Sequence, residues 1–256
     1  MGVQGKNEEP GAVMSVLVLG AQGLLGRALV ERGAWGVGRR ELDVRDRQRA
    51  EAVLSDHSVK AVIFCAAITD VDRCALDPVG REVNVEAPAW FAERVETWLV
   101  STNYVFDGPG PHGPEDERRP CNAYGRQKAE AEDRVLAAGG HVVRTGWLFG
   151  PGGKGFGSRI RELLSAGPVK ALEAWPVQPT WSGDVAEVLL DRPRGITHAI
   201  GGETTTWAEF AEEAARRWGG RVQRVQELSL GPRPSDATLR PATLPSWRTR
   251  LPELRA

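Results

Sequence analysis

The sequence predicts an α/β fold built on a doubly wound parallel sheet, with a smaller C-terminal region. Short apolar runs alternate with helix-like segments through the first 150 residues, as expected for strands joined by crossover helices. The strongest runs are apolar on both faces, which is typical of parallel strands covered by helices on either side. The first of them, Val16 to Leu19, leads directly into a turn with regularly spaced glycines. Together these observations favour a nucleotide-binding architecture.

The composition excludes several classes of function. The 256 residues carry 33 basic and 34 acidic side chains, without a basic stripe that would indicate a nucleic acid partner. No apolar run is long enough to predict a membrane span. The three cysteines and four histidines are too scattered to predict a disulfide framework or a metal site. We therefore expect a cytoplasmic protein that binds no metal, with residues 1–13 as a disordered extension.

The glycines form a G-x-x-G-x-x-G pattern at Gly20, Gly23 and Gly26. The first glycine permits a tight turn, the second lets the backbone approach a pyrophosphate, and the third lets the helix pack on the strand. A helix that begins near Leu24 would aim its N–H groups at that phosphate. The alternative is a glycine-rich loop without a ligand, since the motif alone is weak evidence.

The remaining elements follow from periodicity and from capping residues. Strands are predicted at 16–19, 34–38, 41–44, 59–67, 97–100, 141–145 and 196–200, and helices at 24–32, 47–54, 79–95, 123–138, 156–166, 183–190 and 206–218. Residues 14–150 would form a dinucleotide-binding Rossmann domain, joined by a returning segment near 177–200. Residues 151–256 would form most of a substrate-binding region. Because ligands bind at the carboxyl ends of parallel strands, we expect Ala66–Ala67, Ser101–Thr102 and Gly146–Trp147 to line one crevice.

Two arginines follow the predicted second strand, where a dinucleotide fold recognises the adenosine ribose. An acidic side chain there binds the ribose hydroxyls, whereas a basic one accommodates a 2′-phosphate. Arg39 and Arg40 therefore indicate NADPH, with NADH as the alternative cofactor. Two solvated arginines without a ligand would give the same pattern.

The chemistry is predicted by Tyr124 and Lys128, which lie four residues apart and so share one face of a helix. A nearby ammonium lowers the pKa of a tyrosine, and the same lysine can hold ribose hydroxyls. Thr102 offers a hydroxyl to a substrate carbonyl. These residues suit hydride transfer, with Tyr124 as the proton donor and Thr102 orienting the oxygen. A surface pair on a helix is the competing interpretation of the spacing.

In this order, the glycine turn, Ser101-Thr102 and Tyr124-x-x-x-Lys128 resemble the extended short-chain dehydrogenase/reductases, and more closely the dTDP-4-dehydrorhamnose reductase family. The stretches Asn84-Val-Glu-Ala-Pro88, Arg144-Thr-Gly-Trp-Leu-Phe-Gly150 and Arg233-Pro-Ser-Asp-Ala-Thr-Leu239 also carry the resemblance. It implies NAD(P)H-dependent reduction of the 4-keto group of a nucleotide-linked deoxysugar, and it allows a homodimer. It also implies that the dinucleotide is contacted by Gly23, Leu24, Leu25, Asp43, Val44, Ala66, Ala67, Ile68, Tyr124 and Lys128, and the sugar by Thr102, Asn103 and Trp147.

One departure from the family bears on the substrate. The family usually has an aspartate where Asn103 stands, and an amide loses the charge and gains donors. We therefore expect a changed sugar preference. Two other functions stay open from the sequence: an epimerase or dehydratase with tightly bound NAD, and a non-catalytic regulatory subunit that binds a dinucleotide.

Overall fold

The computed structural model describes residues 16–254, which form an α/β sandwich with a second, smaller lobe. The strands are, in chain order, β1 Val16–Leu19, β2 Trp35–Val37, β3 Ala61–Phe64, β4 Glu96–Thr102, β5 His141–Thr145, β6 Leu148–Phe149, β7 Val169–Leu172, β8 Pro176–Val177, β9 Thr180–Trp181, β10 Ile196–Ala199, β11 Thr205–Thr206 and β12 Val222–Val225. The helices are α1 Leu24–Val30, α2 Arg47–Asp56, α3 Val79–Arg81, α4 Ala87–Ala92, α5 Ala123–Ala137, α6 Phe156–Ala166, α7 Ser182–Leu190, α8 Trp207–Trp218 and α9 Trp247–Arg250.

Six strands form the central sheet in the order β10-β5-β4-β3-β1-β2, and every pair is parallel. The chain runs outward from β1 to β2 and then crosses back to β3 on the other side of β1. The order therefore reverses between β1 and β3, and a crevice opens at the carboxyl ends of these two strands. This arrangement confirms the predicted doubly wound fold.

The two faces of the sheet bury alternate residues of the same strands, because strand side chains point to opposite sides. Leu17 and Phe64 pack against α2, α4 and α5. Val18 and Ile63 pack against α1 and α7 on the other face. β1 and β3 are therefore apolar throughout, and both of their faces are covered by helices.

The second lobe has its own core, centred on Phe149, Phe210 and Trp247. It contains α6, α8 and three two-stranded sheets: β7 with β12, β6 with β9, and β8 with β11. Helix α8 begins with a capping box, in which Thr206 accepts a hydrogen bond from Glu209 N and Glu209 accepts one from Thr206 N. The lobe lies at the same end of the sheet as the crevice, because β6 follows directly from β5.

Some predictions were wrong in detail. Residues 41–44 form turns and coil and not a strand, because Leu42 and Val44 point into the core without pairing to a neighbour. The helix predicted at 79–95 is interrupted by a π-helical turn at Glu82–Glu86 and ends at Ala92.

Strand β10, within the segment predicted to return, pairs with β5. The predicted extension at residues 1–13 lies outside the described residues.

Candidate active site

The glycine turn lies at the carboxyl ends of β1 and β3. Gly20 has a φ of +87°, and a Cβ placed on it would lie 2.7 Å from the Ala66 backbone nitrogen. A Cβ on Gly26 would collide with the Gly20 carbonyl. The first bond of α1 runs from Arg27 N to Gly23 O, so the N–H groups of residues 24–26 precede it. The turn thus offers free amide groups and a bare backbone, which fits a dinucleotide pyrophosphate.

The adenosine end of such a ligand would meet the turn after β2. Arg39 and Arg40 are exposed there. The Asp43 carboxylate is held by Arg45, with Arg45 Nη2 2.8 Å from one oxygen and Arg45 Nε 3.0 Å from the other. This pairing holds the pKa of Asp43 well below its usual range. Asp43 is therefore charge-compensated by Arg45, a residue that the sequence analysis did not identify.

A pocket of about 230 Å³ lies between α1 and the end of β2. Gln22 and Gly38 line it, and a Cβ on Gly38 would overlap the Gln22 side chain. Glu41 closes one side, because its carboxylate accepts a hydrogen bond of 2.8 Å from Gly38 N. Gln22 and Glu41 are thus further polar groups beside the predicted adenosine position.

Asn84 supports the loop that follows β3. Its side chain accepts a hydrogen bond from Ile68 N at 2.9 Å and donates one to Ile68 O at 3.0 Å. A further bond of 2.9 Å joins it to Gln127 on α5. Because Asn84 is 1% exposed, these bonds fix the loop at Ile68, which directly follows Ala66 and Ala67. These loop residues thereby stay beside the glycine turn.

Thr102, Tyr124 and Lys128 come together where β4 ends and α5 begins. Asn122 caps α5 by accepting a 2.8 Å hydrogen bond from Gly125 N, which places Tyr124 in the first turn. A Cβ on Gly125 would collide with the carbonyl of Tyr104, in the turn that directly follows β4, so only glycine lets α5 approach this turn so closely. Gly125 is therefore a site residue that the sequence analysis missed, although its place beside Tyr124 was a signal.

The electrostatics of this group differ from the expectation in one respect. Burial raises the pKa of Tyr124 above its usual value, and a hydrogen bond with Thr102 partly opposes this. Burial also lowers the pKa of Lys128 to about 8, against the opposing charge of Glu132. The Lys128 ammonium donates a 2.8 Å hydrogen bond to the Val100 carbonyl. The expected lowering of the Tyr124 pKa by Lys128 is wrong for this structure, because desolvation of the phenolate dominates.

A raised pKa suits a tyrosine that donates a proton, as the reduction of a carbonyl group requires. A proton donor must be protonated before the reaction, and Tyr124 is neutral throughout the physiological range. Its hydroxyl shares the crevice with that of Thr102, which is 8% exposed. The pair can therefore hydrogen-bond one carbonyl oxygen and protonate it as negative charge develops there. This is the requirement for reduction of a ketone.

The segment 232–239, hereafter the strap, lies across the crevice. Asn103 Nδ2 donates to the Ala237 carbonyl at 2.9 Å, and Asn122 Nδ2 donates to the Pro232 carbonyl at 3.2 Å. Arg233 forms an ion pair of 3.0 Å with Asp72, which lies on the opposite side. Asn103 is thus engaged by the strap, and an aspartate in its place could not donate this bond.

Trp147 lies in an aromatic cluster at the entrance to the second lobe. Its ring stacks on Trp207 at 5.6 Å and on Phe156 at 5.7 Å between centroids, and it meets Phe210 edge-on. Trp175 also stacks on Trp207, with 5.6 Å between the ring centroids. Trp147 is half-buried, so packing accounts for much of its surface and a sugar contact stays a prediction.

Residues 16–254 contain no group of three or more His, Cys, Asp or Glu side chains that could hold a metal ion. Over the same residues, every helix is too short or too polar to cross a bilayer.

A doubly wound sheet with this glycine turn, and a Thr-Tyr-Lys group at the same edge, defines a nicotinamide-dinucleotide oxidoreductase of the short-chain dehydrogenase class. Residues 14–247 match the family model for the RmlD substrate binding domain. The chain belongs to this family, the dTDP-4-dehydrorhamnose reductases.

Individual relatives agree with this assignment. The dTDP-4-dehydrorhamnose reductase of Streptomyces griseus is 34% identical over 90% of this chain and 83% of that protein. A probable dTDP-4,6-dihydroxy-2-methyloxan-3-one 4-ketoreductase of Streptomyces antibioticus is 33% identical over 91% of this chain and 85% of that protein. The crystal structure of a dTDP-4-dehydrorhamnose reductase ortholog from Clostridium acetobutylicum superposes with a TM-score of 0.86 at 26% identity, covering 93% and 97% of the two chains.

Proposed function

We propose that this chain reduces the 4-keto group of a dTDP-linked deoxysugar with NADPH. The observation that carries the proposal is the burial of Tyr124 beside the Thr102 hydroxyl, at the end of the sheet where the glycine turn lies. Membership of a reductase family supports the direction of the reaction, and the raised pKa of Tyr124 supports its role as the acid.

Each site residue has a separate proposed role in the reaction. When bound, NADPH supplies the hydride. Thr102 orients the substrate carbonyl, and Tyr124 gives its proton to the oxygen as the C=O bond becomes C–OH. Lys128 holds the nicotinamide ribose. The cofactor would otherwise be contacted by Gly20, Gly23, Leu24, Leu25, Gly26, Arg39, Arg40, Asp43, Val44, Ala66, Ala67 and Ile68, and the sugar by Asn103 and Trp147.

The sugar itself is proposed at the level of its class. The two Streptomyces relatives have different keto sugars in their names, although they are almost equally similar to this chain. Asn103 differs from the aspartate typical of the family and is tied to the strap. We therefore propose a keto sugar whose hydroxyl pattern differs from that of dTDP-4-dehydrorhamnose.

The resemblance also suggests a homodimer, working in the cytoplasm where nucleotide sugars are made. Light scattering on the purified protein tests the assembly. A mass of about twice the 27.8 kDa of one chain supports a dimer, and a mass equal to one chain contradicts it.

The first experiment follows NADPH oxidation with a panel of dTDP-4-keto sugars that includes dTDP-4-dehydro-6-deoxy-L-mannose. Tyr124→Phe removes the donated proton and should lower kcat by about 100-fold or more. NADPH affinity should change little, because the ring remains in place. Binding of NADPH without turnover of any keto sugar would contradict the proposed reaction and would favour a regulatory subunit.

A further inference from the structure

A carboxylate that the reaction does not use lies directly behind the proposed catalytic group. Glu132 is on α5, four residues after Lys128 and eight after Tyr124, so the three side chains share one face of the helix. Its exposed fraction is 0%. Glutamates are almost never buried to this extent unless they are paired, so the surroundings of Glu132 need an explanation.

Both oxygens of Glu132 are saturated with hydrogen bonds. Oε1 accepts from Ser101 Oγ at 2.5 Å and from Arg144 Nε at 3.0 Å. Oε2 accepts from Arg144 Nη2 at 2.8 Å and from Arg118 Nη1 at 3.0 Å. Arg144 is itself 1% exposed. The four bonds compensate the buried charge, and they join α5 to β4, to β5 and to the loop before α5.

The bonds act on the part of β4 that carries Thr102. Ser101 immediately precedes Thr102, and the carbonyl of Val100 accepts the hydrogen bond from Lys128. Two consecutive residues of β4 are therefore tied to α5, one through Glu132 and one through Lys128. This double attachment sets the separation between Thr102 on the strand and Tyr124 on the helix.

Glu132 also acts through its charge. It opposes the burial that lowers the pKa of Lys128 to about 8, and Cys65, the residue that directly follows β3, acts in the same sense. The charged and titratable groups on the far side of Glu132 are Arg118, Arg144 and His198. Among residues 16–254, Glu132 is the one carboxylate that acts on the pKa of Lys128.

We propose that Glu132 is a positioning residue, which fixes Thr102 against Tyr124 and keeps the Lys128 ammonium protonated for the dinucleotide ribose. This inference rests on the proposed function for its kinetic part. Its electrostatic part is tested by cofactor binding alone.

The test compares Glu132→Gln with Glu130→Gln in the full chain. Glu130 lies on the same helix but forms an exposed pair with Arg81, so the chemical change is matched without touching the site. NADPH affinity is measured by nicotinamide fluorescence from pH 6 to 10. Wild type and Glu130→Gln should lose affinity with a midpoint near the Lys128 pKa of about 8. Glu132→Gln should move this midpoint down by about one pH unit.

Kinetics and a conservative variant separate charge from position. Glu132→Asp keeps the charge but shortens the reach to Ser101, so it should leave the binding midpoint near that of wild type. Its kcat should fall by about tenfold or more, because Thr102 is displaced from Tyr124, while KM changes less. An unchanged midpoint in folded Glu132→Gln, with only its melting temperature lowered, would overturn the proposal and leave Glu132 a purely structural residue.

Two further outcomes, a Glu132→Gln variant that does not fold and a wild type without reductase activity, have different meanings. If Glu132→Gln does not fold, the double change with Arg144→Met removes the unpaired buried arginine, and its midpoint should move in the same direction. If the midpoint moves as expected but wild type reduces no keto sugar, the proposed reaction fails while the electrostatic part of the inference stands. Failure of wild type to bind NADPH would overturn both.

Discussion

At the scale of single residues, the site depends on close approaches that admit no alternative side chain. Gly20 lies against the Ala66 backbone, and Gly125 lies against the Tyr104 carbonyl. The first approach brings the glycine turn against the loop after β3, and the second brings Tyr124 to Thr102. In both cases the missing Cβ, and not any contact made by the glycine, is what the site requires.

Gly125→Ala should test the second approach. The new methyl group would push α5 away from the turn that follows β4, lowering stability by about 1–3 kcal/mol as expected for overpacking. We also expect kcat to fall by about tenfold or more, because Tyr124 moves with the helix. Thermal unfolding and NADPH oxidation measure the two effects.

The control for this change is Gly155→Ala. A Cβ at Gly155 meets nothing within 4 Å, and its backbone is extended. This variant should match wild type in NADPH oxidation and should lose less stability than Gly125→Ala, because its only expected cost is an alanine at the N-cap of α6. An equal loss of kcat at the two positions would contradict a special role for the close approach of α5 at Gly125.

At the scale of elements, the connection from β2 to α2 decides how the adenosine end is recognised. Helix α2 begins after Asp46, which caps it by accepting a 2.9 Å hydrogen bond from Arg49 N. The segment between β2 and this cap contains Arg39, Arg40 and the Asp43–Arg45 pair. Because Arg45 neutralises Asp43, this carboxylate repels a 2′-phosphate less than a free aspartate would.

Arg39→Ala and Arg40→Ala should each be measured for NADPH and NADH affinity. Loss of a charged hydrogen bond to the 2′-phosphate should weaken NADPH binding by about 10- to 100-fold in at least one variant. NADH affinity should stay the same, because NADH lacks the phosphate. Arg49→Ala, at an exposed position on α2, serves as the control. An unchanged preference in both variants would show that neither arginine recognises the 2′-phosphate.

At the scale of the whole molecule, the sheet and the strap are joined through buried polar groups. His198 on β10 lies against Arg144 on β5, and its Nδ1 lies 2.9 Å from the carbonyl of Arg240, which follows the strap. Burial lowers the pKa of His198 to about 4, so the folded protein holds this ring neutral. Protonation would place a second cation beside Arg144 in the interior.

This predicts a loss of stability in mild acid. The unfolded chain binds a proton at His198 near pH 6.5, whereas the folded chain does so only near pH 4. Stability from this residue is therefore complete above pH 6.5 and decreases as the pH falls to 4, by up to about 3 kcal/mol.

Denaturant unfolding at intervals between pH 7 and 5 measures this effect. His198→Asn should flatten the pH dependence over this range. The same change at the exposed His57 should leave it as in wild type. If His198→Asn retains the full dependence, another group is responsible for the acid sensitivity.

Local signals in the sequence predict the class of fold, which the structure confirms, and they also predict which residues form the candidate site. Apolar runs predict buried strands, glycine spacing predicts the turn, and a four-residue interval predicts that Tyr124 and Lys128 share a helix face. The alternation at Leu42 and Val44 gave a wrong strand prediction. Both side chains are buried without strand pairing, and burial alone produces the apolar alternation that is typical of a strand.

Features that depend on partners distant in the sequence became visible in the three-dimensional structure. The pKa of Tyr124 rises because several elements desolvate its phenolate, an effect that the Tyr-Lys spacing does not contain. Asn103 meets Ala237, and Glu132 meets Ser101 and Arg144, across separations that periodicity does not report. Local patterns thus specify which groups are present, and packing specifies their distances and charges.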